Sequence, residues 1–329
     1  MSGNLRFGVI GAGAVGSYYG ARLVEAGEEV RFLLRSDYEH VSKNGLRVTS
    51  VAGDLELEEV DCYQTPEAMG PVDVVIIAWK ATANANFKEV LDPICHEKTV
   101  VLTLQNGLGN VEVLRGLLGE ERVLAALCFV CLNRLEAGLI SHTGGGMIAL
   151  GGPKKWREHL GKIFQRAKFP CQVVEDLPLA QWRKLVWNVP FNGLCITEGG
   201  IDTETLLART AGEERVRGLM AEVLLAAGAL GHDIPQSFIE EQVKRTFPMK
   251  DYRPSSMIDY VEGRPVEVEA IWGIPLRQAE EAGAQLPRWR ELYEAILRAL
   301  EERSKRSVSP EPGARRLESS APRRARPLR

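Results

Sequence analysis

Leu5-Arg6-Phe7-Gly8-Val9-Ile10-Gly11-Ala12-Gly13-Ala14-Val15-Gly16 decides the fold of this 329-residue chain. An apolar run enters a GxGxxG pattern, an amphipathic stretch over 17–26 leaves it, and a second apolar run follows at 29–34. Strand, glycine turn, helix and strand in that order form the unit that binds a dinucleotide. Gly11 permits the tight turn, Gly13 lets backbone approach a pyrophosphate, and Gly16 lets the helix lie on the strand. The helix N-terminus then presents free N–H groups and partial positive charge to the phosphates. The plainer alternative is an ordinary glycine-rich turn between a strand and a helix.

The end of the second strand bears on the cofactor. NAD-binding domains usually place an Asp or Glu there for the ribose 2′-hydroxyl. This chain has Leu34-Arg35-Ser36, so the expectation is NADPH/NADP+, with Arg35 pairing with a 2′-phosphate through its planar fork of donors. Asp37 and Glu39 come slightly later and leave an NAD reading open.

Working outward, 72–78, 99–104 and 123–132 read as strands, with helices at 83–95 and 110–118 between them. Continuous apolar runs of this kind fit parallel strands covered on both faces. Gly144-Gly145-Gly146 reads as a turn before a short strand at 147–150. In open α/β sheets ligands sit beyond the carboxyl ends of the strands. Lys80 and Asn106-Gly107 follow two such ends and should face the crevice. The alternatives are a loop charge and a turn signal.

From about residue 176 amphipathic helical segments dominate, at 179–188, 203–230, 235–246, 266–282 and 287–302. The fold class expected is α/β: a Rossmann-type dinucleotide domain (1–176), a mostly α-helical C-terminal domain (177–302) and a disordered basic tail (303–329). In the first of these helices Lys184, Asn188 and Asn192 recur at four-residue spacing among Trp182, Leu185, Val186, Trp187 and Phe191. A lysine desolvated beside uncharged amides has its ammonium disfavoured, which suits an acid that gives a proton to a carbonyl oxygen. A surface lysine beside core amides is the bland alternative. Pro190 should kink the helix and put Asn192 off the stripe.

Composition bounds the rest. Net charge is −3, yet nine of the 41 basic residues fall in the last 29 positions, so the body is more acidic than the whole. That argues against a nucleic-acid face on the body. No apolar run is long enough for a membrane helix. No secretory leader is visible, and the six scattered cysteines read as reduced thiols, so a cytoplasmic protein is expected. Cys128-Phe129-Val130-Cys131 has no second ligand pair, and no metal is expected. The expected partner is a small molecule, and a homodimer stays open.

Taken together, the chain resembles the ketopantoate reductase (2-dehydropantoate 2-reductase) family over about residues 5–300. The likeness rests on Gly11-Ala12-Gly13-Ala14-Val15-Gly16, Arg35, Lys80, Leu104-Gln105-Asn106-Gly107, Trp182-Arg183-Lys184-Leu185 with Asn188 and Asn192, Ser255-Ser256-Met257, and Glu262-Gly263-Arg264-Pro265-Val266-Glu267. The resemblance implies an oxidoreductase that reduces 2-dehydropantoate to (R)-pantoate with NADPH, toward pantothenate and coenzyme A. By that likeness Lys184 is the catalytic acid, and Glu267 holds substrate and lysine. Asn106, Asn188, Asn192 and Ser256 contact substrate, Asn106 also lies near the nicotinamide, and Arg35 and Lys80 serve the cofactor. Asp202 stands where family members carry an Asn, the filling over 189–191 differs, and the stretch from Ser256 to Glu267 is one residue shorter. These departures keep two alternatives in view: a related reductase of another 2-oxo acid, and a dinucleotide-binding regulator without turnover.

Overall fold

A computed structural model describes residues 5–308. β1 (Arg6–Ile10) leads through α1 (Ala14–Glu25) to β2 (Glu29–Leu33). There follow α2 (Tyr38–Asn44), β3 (Leu46–Ser50), β4 (Leu55–Leu57), β5 (Cys62–Tyr63), α3 (Pro66–Met69) and β6 (Val72–Ile77). A 3-10 turn over Ala81–Asn86 precedes α4 (Phe87–Ile94), β7 (Cys95–Thr103) and α5 (Asn110–Leu118). The long pair β8 (Val123–Glu136) and β9 (Leu139–Gly151), then α6 (Lys154–Arg166) and β10 (Cys171–Val173), complete the first half.

Ten strands make one sheet, ordered β4-β3-β9-β8-β7-β6-β1-β2-β5 with β10 beside β9. From β5 across to β8 every neighbour is parallel. Alternation along the strands explains why the sheet is covered twice. Val74, Ile76, Val100, Leu102 and Leu124 pack on one face with α1 and α6. Val75, Ile77, Val101, Val123 and Ala125 pack on the other with α4 and α5. Successive side chains of a strand point to opposite faces, so an unbroken apolar run needs two covers.

The glycine-rich region departs from the sequence reading. The expected short strand at 147–150 is the end of β9, which pairs antiparallel with β8 down to Glu136↔Leu139. Gly144–Gly146 is no turn. Its glycines sit at register shifts between Phe129/Val130 and Cys131/Leu132, where bulges absorb the extra residues inside the ladder. The turn itself is Ala137-Gly138, with Gly138 at φ 71°.

Helices make up the second half: α7 (Leu177–Thr197), α8 (Thr203–Ala208), α9 (Gly212–Ala229), α10 (Ser237–Thr246), α11 (Ser255–Val261), α12 (Ile274–Glu281) and α13 (Pro287–Val308). They enclose a separate apolar core built on Trp182, Val189, Phe191, Met220, Val223, Trp272 and Trp289. Three expectations change here. The single helix at 203–230 breaks into α8 and α9, because Ala211 adopts φ 59° between them. The helix read at 179–188 does not end there: α7 runs through Pro190 to Thr197. Pro190 cannot donate to the Val186 carbonyl one turn back; one residue before it, the Val189 carbonyl accepts from Trp272 Nε1 at 2.9 Å. The expected tail also starts too early. α13 continues through 303–308, and Arg303 donates to the carbonyls of Tyr260 (2.8 Å) and Arg264 (3.2 Å) while lying over the Tyr260 ring. Residues 309–329 lie outside the described residues.

A buried acid ties α9 to the start of α13. Glu222 accepts from the backbone N–H groups of Arg288 (3.0 Å) and Trp289 (2.8 Å), both unpaired donors in the first turn of α13. Glu222→Ala is expected to cost about 1–3 kcal/mol of stability, read as a lower urea midpoint. An unchanged midpoint would remove the carboxylate from this account.

Candidate active site

The site lies where the carboxyl ends of β1, β6 and β7 face α7 and α11. Gly11 has φ 81°, and a Cβ there would sit on the backbone of Trp79, just beyond β6. A Cβ on Gly16 would fall 2.7 Å from the Gly11 carbonyl. Gly13 differs: a Cβ would meet nothing within 4 Å. No protein atom requires a glycine at that position, so the open space belongs to whatever approaches the loop. Gly13 is also the N-cap of α1, without a side-chain cap and without an acid in the first turn. An anion fits such an end.

At the end of β2, Arg35 is exposed, and its guanidinium makes no ion pair or hydrogen bond among the described residues. Asp37, the carboxylate that kept an NAD reading open, is engaged elsewhere. Arg134 of β8 grips it with two bonds, Nε at 2.7 Å and Nη2 at 2.5 Å, and Ser36 Oγ donates at 2.8 Å. Glu39 is exposed on α2. An unpaired arginine and a neutralised carboxylate fit a dinucleotide bearing a 2′-phosphate.

Across the crevice, α7 is started by Asp176, whose carboxylate accepts from Leu179 N at 2.8 Å. Two turns on, Lys184 reaches over to the sheet. Its Nζ donates to Asn106 Oδ1 at 2.8 Å and to the Cys128 carbonyl at 3.0 Å, and lies 5.5 Å from the Phe129 ring centre. Burial pushes this lysine below its usual 10.5, partly opposed by Cys128 and Glu267. An ammonium carries three donors, and two are used.

Glu267 is 3% exposed and accepts from the Ala81 N–H at 2.7 Å. Burial raises its pKa, while Lys80, the Ala81 N–H and the Asn106 side chain pull the other way. Asn106 thus stands between Lys184, from which it accepts, and Glu267, whose pKa it helps to hold down. The resemblance implied that Glu267 holds the lysine; in the structure no hydrogen bond joins the two, and Glu267 acts on Lys184 through its charge. Gly107 explains how Asn106 gets there. It has φ 79°, and the loop abuts a π-helical turn over Glu269–Gly273, where the Ala270 carbonyl accepts from Leu108 N at 2.8 Å. A side chain at Gly107 would strike that carbonyl.

Lys80, expected at the cofactor, is ion-paired to the helical half. Its Nζ lies 2.6 Å from Asp259 Oδ2 and 3.8 Å from Glu267 Oε2. Burial would lower this lysine, but Glu267 and Asp259 outweigh it and hold it above its ordinary value. Two buried carboxylates on α11 and just beyond it are a stronger pull than an exposed loop position.

The asparagines divide. Asn188 is buried, and its amide makes no hydrogen bond among the described residues. Asn192 uses both ends on the protein: Oδ1 accepts from Ser256 N at 2.9 Å, and Nδ2 donates to the Asn188 carbonyl at 3.2 Å. It therefore fixes α11, and Ser256 with it, against α7. Ser256 is 1% exposed. Asp202 is the N-cap of α8, and its two oxygens take Thr205 N (2.7 Å) and Thr205 Oγ1 (3.0 Å).

Several members of this arrangement escaped sequence reasoning: Asp259, Arg134, the Ala81 N–H and the Cys128 carbonyl. Asp259 had a signal, since it lies three residues past Ser256 on the same helix. The main-chain groups had none.

Two family models match the chain, ketopantoate reductase PanE/ApbA over residues 7–155 and its C-terminal counterpart over 176–301. The 2-dehydropantoate 2-reductase of Nostoc sp. is 41% identical over 300 residues, covering 88% of this chain and 94% of that protein. A crystal structure of 2-dehydropantoate 2-reductase from Geobacter metallireducens superposes with a TM-score of 0.88 at 42% identity, covering 90% of this chain and 100% of the other. One from Methylococcus capsulatus gives 0.84 at 29% identity, covering 92% and 99%. With its glycine loop, its lysine-bearing α7 and its helical second half matched end to end, this chain belongs to the ketopantoate reductase family.

Proposed function

We propose that this protein reduces the C2 ketone of 2-dehydropantoate to (R)-pantoate, using NADPH. One observation carries the reading: Lys184, half-buried and with its pKa lowered, holds Asn106 Oδ1 and the Cys128 carbonyl and keeps a third donor for a substrate oxygen. The glycine loop and Arg35 would hold the cofactor, which supplies the hydride when bound.

The chain's own groups do the rest. Lys184 donates to the ketone oxygen, stabilises charge as it develops there, and gives up a proton. Asn106 orients the ammonium, and the nearby charge of Glu267 favours it. Lys80 and the Ala81 N–H favour the ionised form of Glu267. Asn188 and Ser256 offer polar groups to an anionic substrate, while Asn192 sets the spacing between their helices. Asp202 kept a different 2-oxo acid in view; its engagement with Thr205 as the N-cap of α8 supports ketopantoate.

No helix among the described residues is long and apolar enough to cross a membrane. The six cysteines are free, which supports a reducing compartment such as the cytoplasm. The deciding assay follows loss of NADPH absorbance with 2-dehydropantoate beside a panel of other 2-oxo acids, with NADH as control. Turnover favouring 2-dehydropantoate and NADPH is expected. Turnover confined to another acid would replace the substrate and keep the mechanism.

A further inference from the structure

We infer that Arg134 determines cofactor specificity by withholding Asp37 from the cofactor's ribose. The inference rests on the reading of this site as one for NADPH. Asp37 is 7% exposed and lines a small cavity with Ala12, Ser17, Leu34 and Gly138. It therefore faces the glycine loop from the β2 side, where dinucleotide enzymes keep the carboxylate that binds a ribose 2′-hydroxyl. A free carboxylate there would accept that hydroxyl and repel a 2′-phosphate.

The chain does not leave it free. β8 pairs with β7 only through Val123, Leu124 and Ala125, and its remaining length runs out with β9 as a ribbon. Near the tip of that ribbon Arg134 closes on Asp37 in the bidentate fork described above. Arg134 is 42% exposed, so the pair adds little to folding. Its consequence is electrostatic: the guanidinium offsets the charge of the acid and, with Ser36, takes three of its acceptor positions, while Arg35 stays unpaired beside it among the described residues. Arg134 is a positioning residue here, acting through Asp37.

The test measures binding of NADP+ and of NAD+ by calorimetry to the parent, Arg134→Leu, Arg134→Lys and Arg35→Ala, each alone and with Asp37→Asn. Arg134→Leu should weaken NADP+ binding about 10- to 100-fold and leave NAD+ unchanged or tighter. Arg134→Lys should keep most of the preference. Adding Asp37→Asn to Arg134→Leu should restore NADP+ affinity, because no carboxylate remains to repel the phosphate. It should not rescue Arg35→Ala, whose guanidinium meets the phosphate itself. An Arg134→Leu variant with the parental ratio of affinities overturns the inference. So does an equal loss of NADP+ affinity with or without Asp37→Asn, which would make Arg134 a direct phosphate contact. A parent protein that binds NAD+ as tightly as NADP+ is a separate outcome and overturns the NADPH reading beneath it.

Discussion

Lys184→Ala is expected to lower turnover of 2-dehydropantoate by about 10²- to 10⁴-fold and to leave NADP+ affinity nearly unchanged. The size follows from what the side chain does. On the proposed mechanism it is a half-buried cation whose two internal bonds fix its direction and whose third donor remains for the substrate. Removing it deletes both charge stabilisation and the proton source. Arg at this position keeps the charge but cannot release a proton near neutrality, so Lys184→Arg should stay slow.

A second readout separates chemistry from folding. The folded pKa of Lys184 is below the ordinary 10.5, so the unfolded chain binds this proton more tightly. The cost to stability is fully present below the folded value and vanishes as pH rises past the unfolded one. Lys184→Met, apolar and of similar reach, should therefore melt at or above the parental Tm at neutral pH. A rate close to the parent's for Lys184→Ala would remove Lys184 from the mechanism. A Tm well below the parent's for Lys184→Met would deny that burial of charge sets its pKa.

What was legible in the sequence was local. Gly11, Gly13 and Gly16 announce their turn because the residues entering and leaving it are contiguous. Lys184 and Asn188 share a face because helical spacing says so. The polar character of α7 amid large apolar residues marks a cleft rather than a solvated surface. What could not be read was pairing across distance. Arg134 and Asp37 are 97 positions apart, and Lys80 and Asp259 are 179 apart. The length of β9 was hidden because glycines that signal a turn in isolation also serve as bulges once a partner strand exists. The Cys128 carbonyl is main chain, common to every residue. Asn192 shows the same divide: its four-residue spacing was legible, while its bond to Ser256 N, which joins α7 to α11, was not.

The carboxylate beyond Asn106 should govern the pH profile rather than merely the rate. Glu267→Gln keeps size and polarity but removes the negative charge that helps hold Lys184 protonated. Lys184 must be protonated to act as an acid, so kcat falls as pH rises through its folded pKa. Without the Glu267 charge that pKa drops further, and the alkaline limb moves to lower pH. On the acid side the sign reverses. Burial raises Glu267, so in the parent it gains a proton at a higher pH than an ordinary carboxylate does, and its support for the ammonium is lost there. That limb should disappear in Glu267→Gln. At neutral pH the variant should be slower by about 10²-fold, with Lys80 still paired to Asp259. A variant that slows without shifting either limb would mean that Glu267 places the Lys80–Ala81 loop and has no electrostatic hold on Lys184. Lys80 then supplies the control. Lys80→Met removes the cation that keeps Glu267 ionised, so the acid limb should move to higher pH in an otherwise native enzyme.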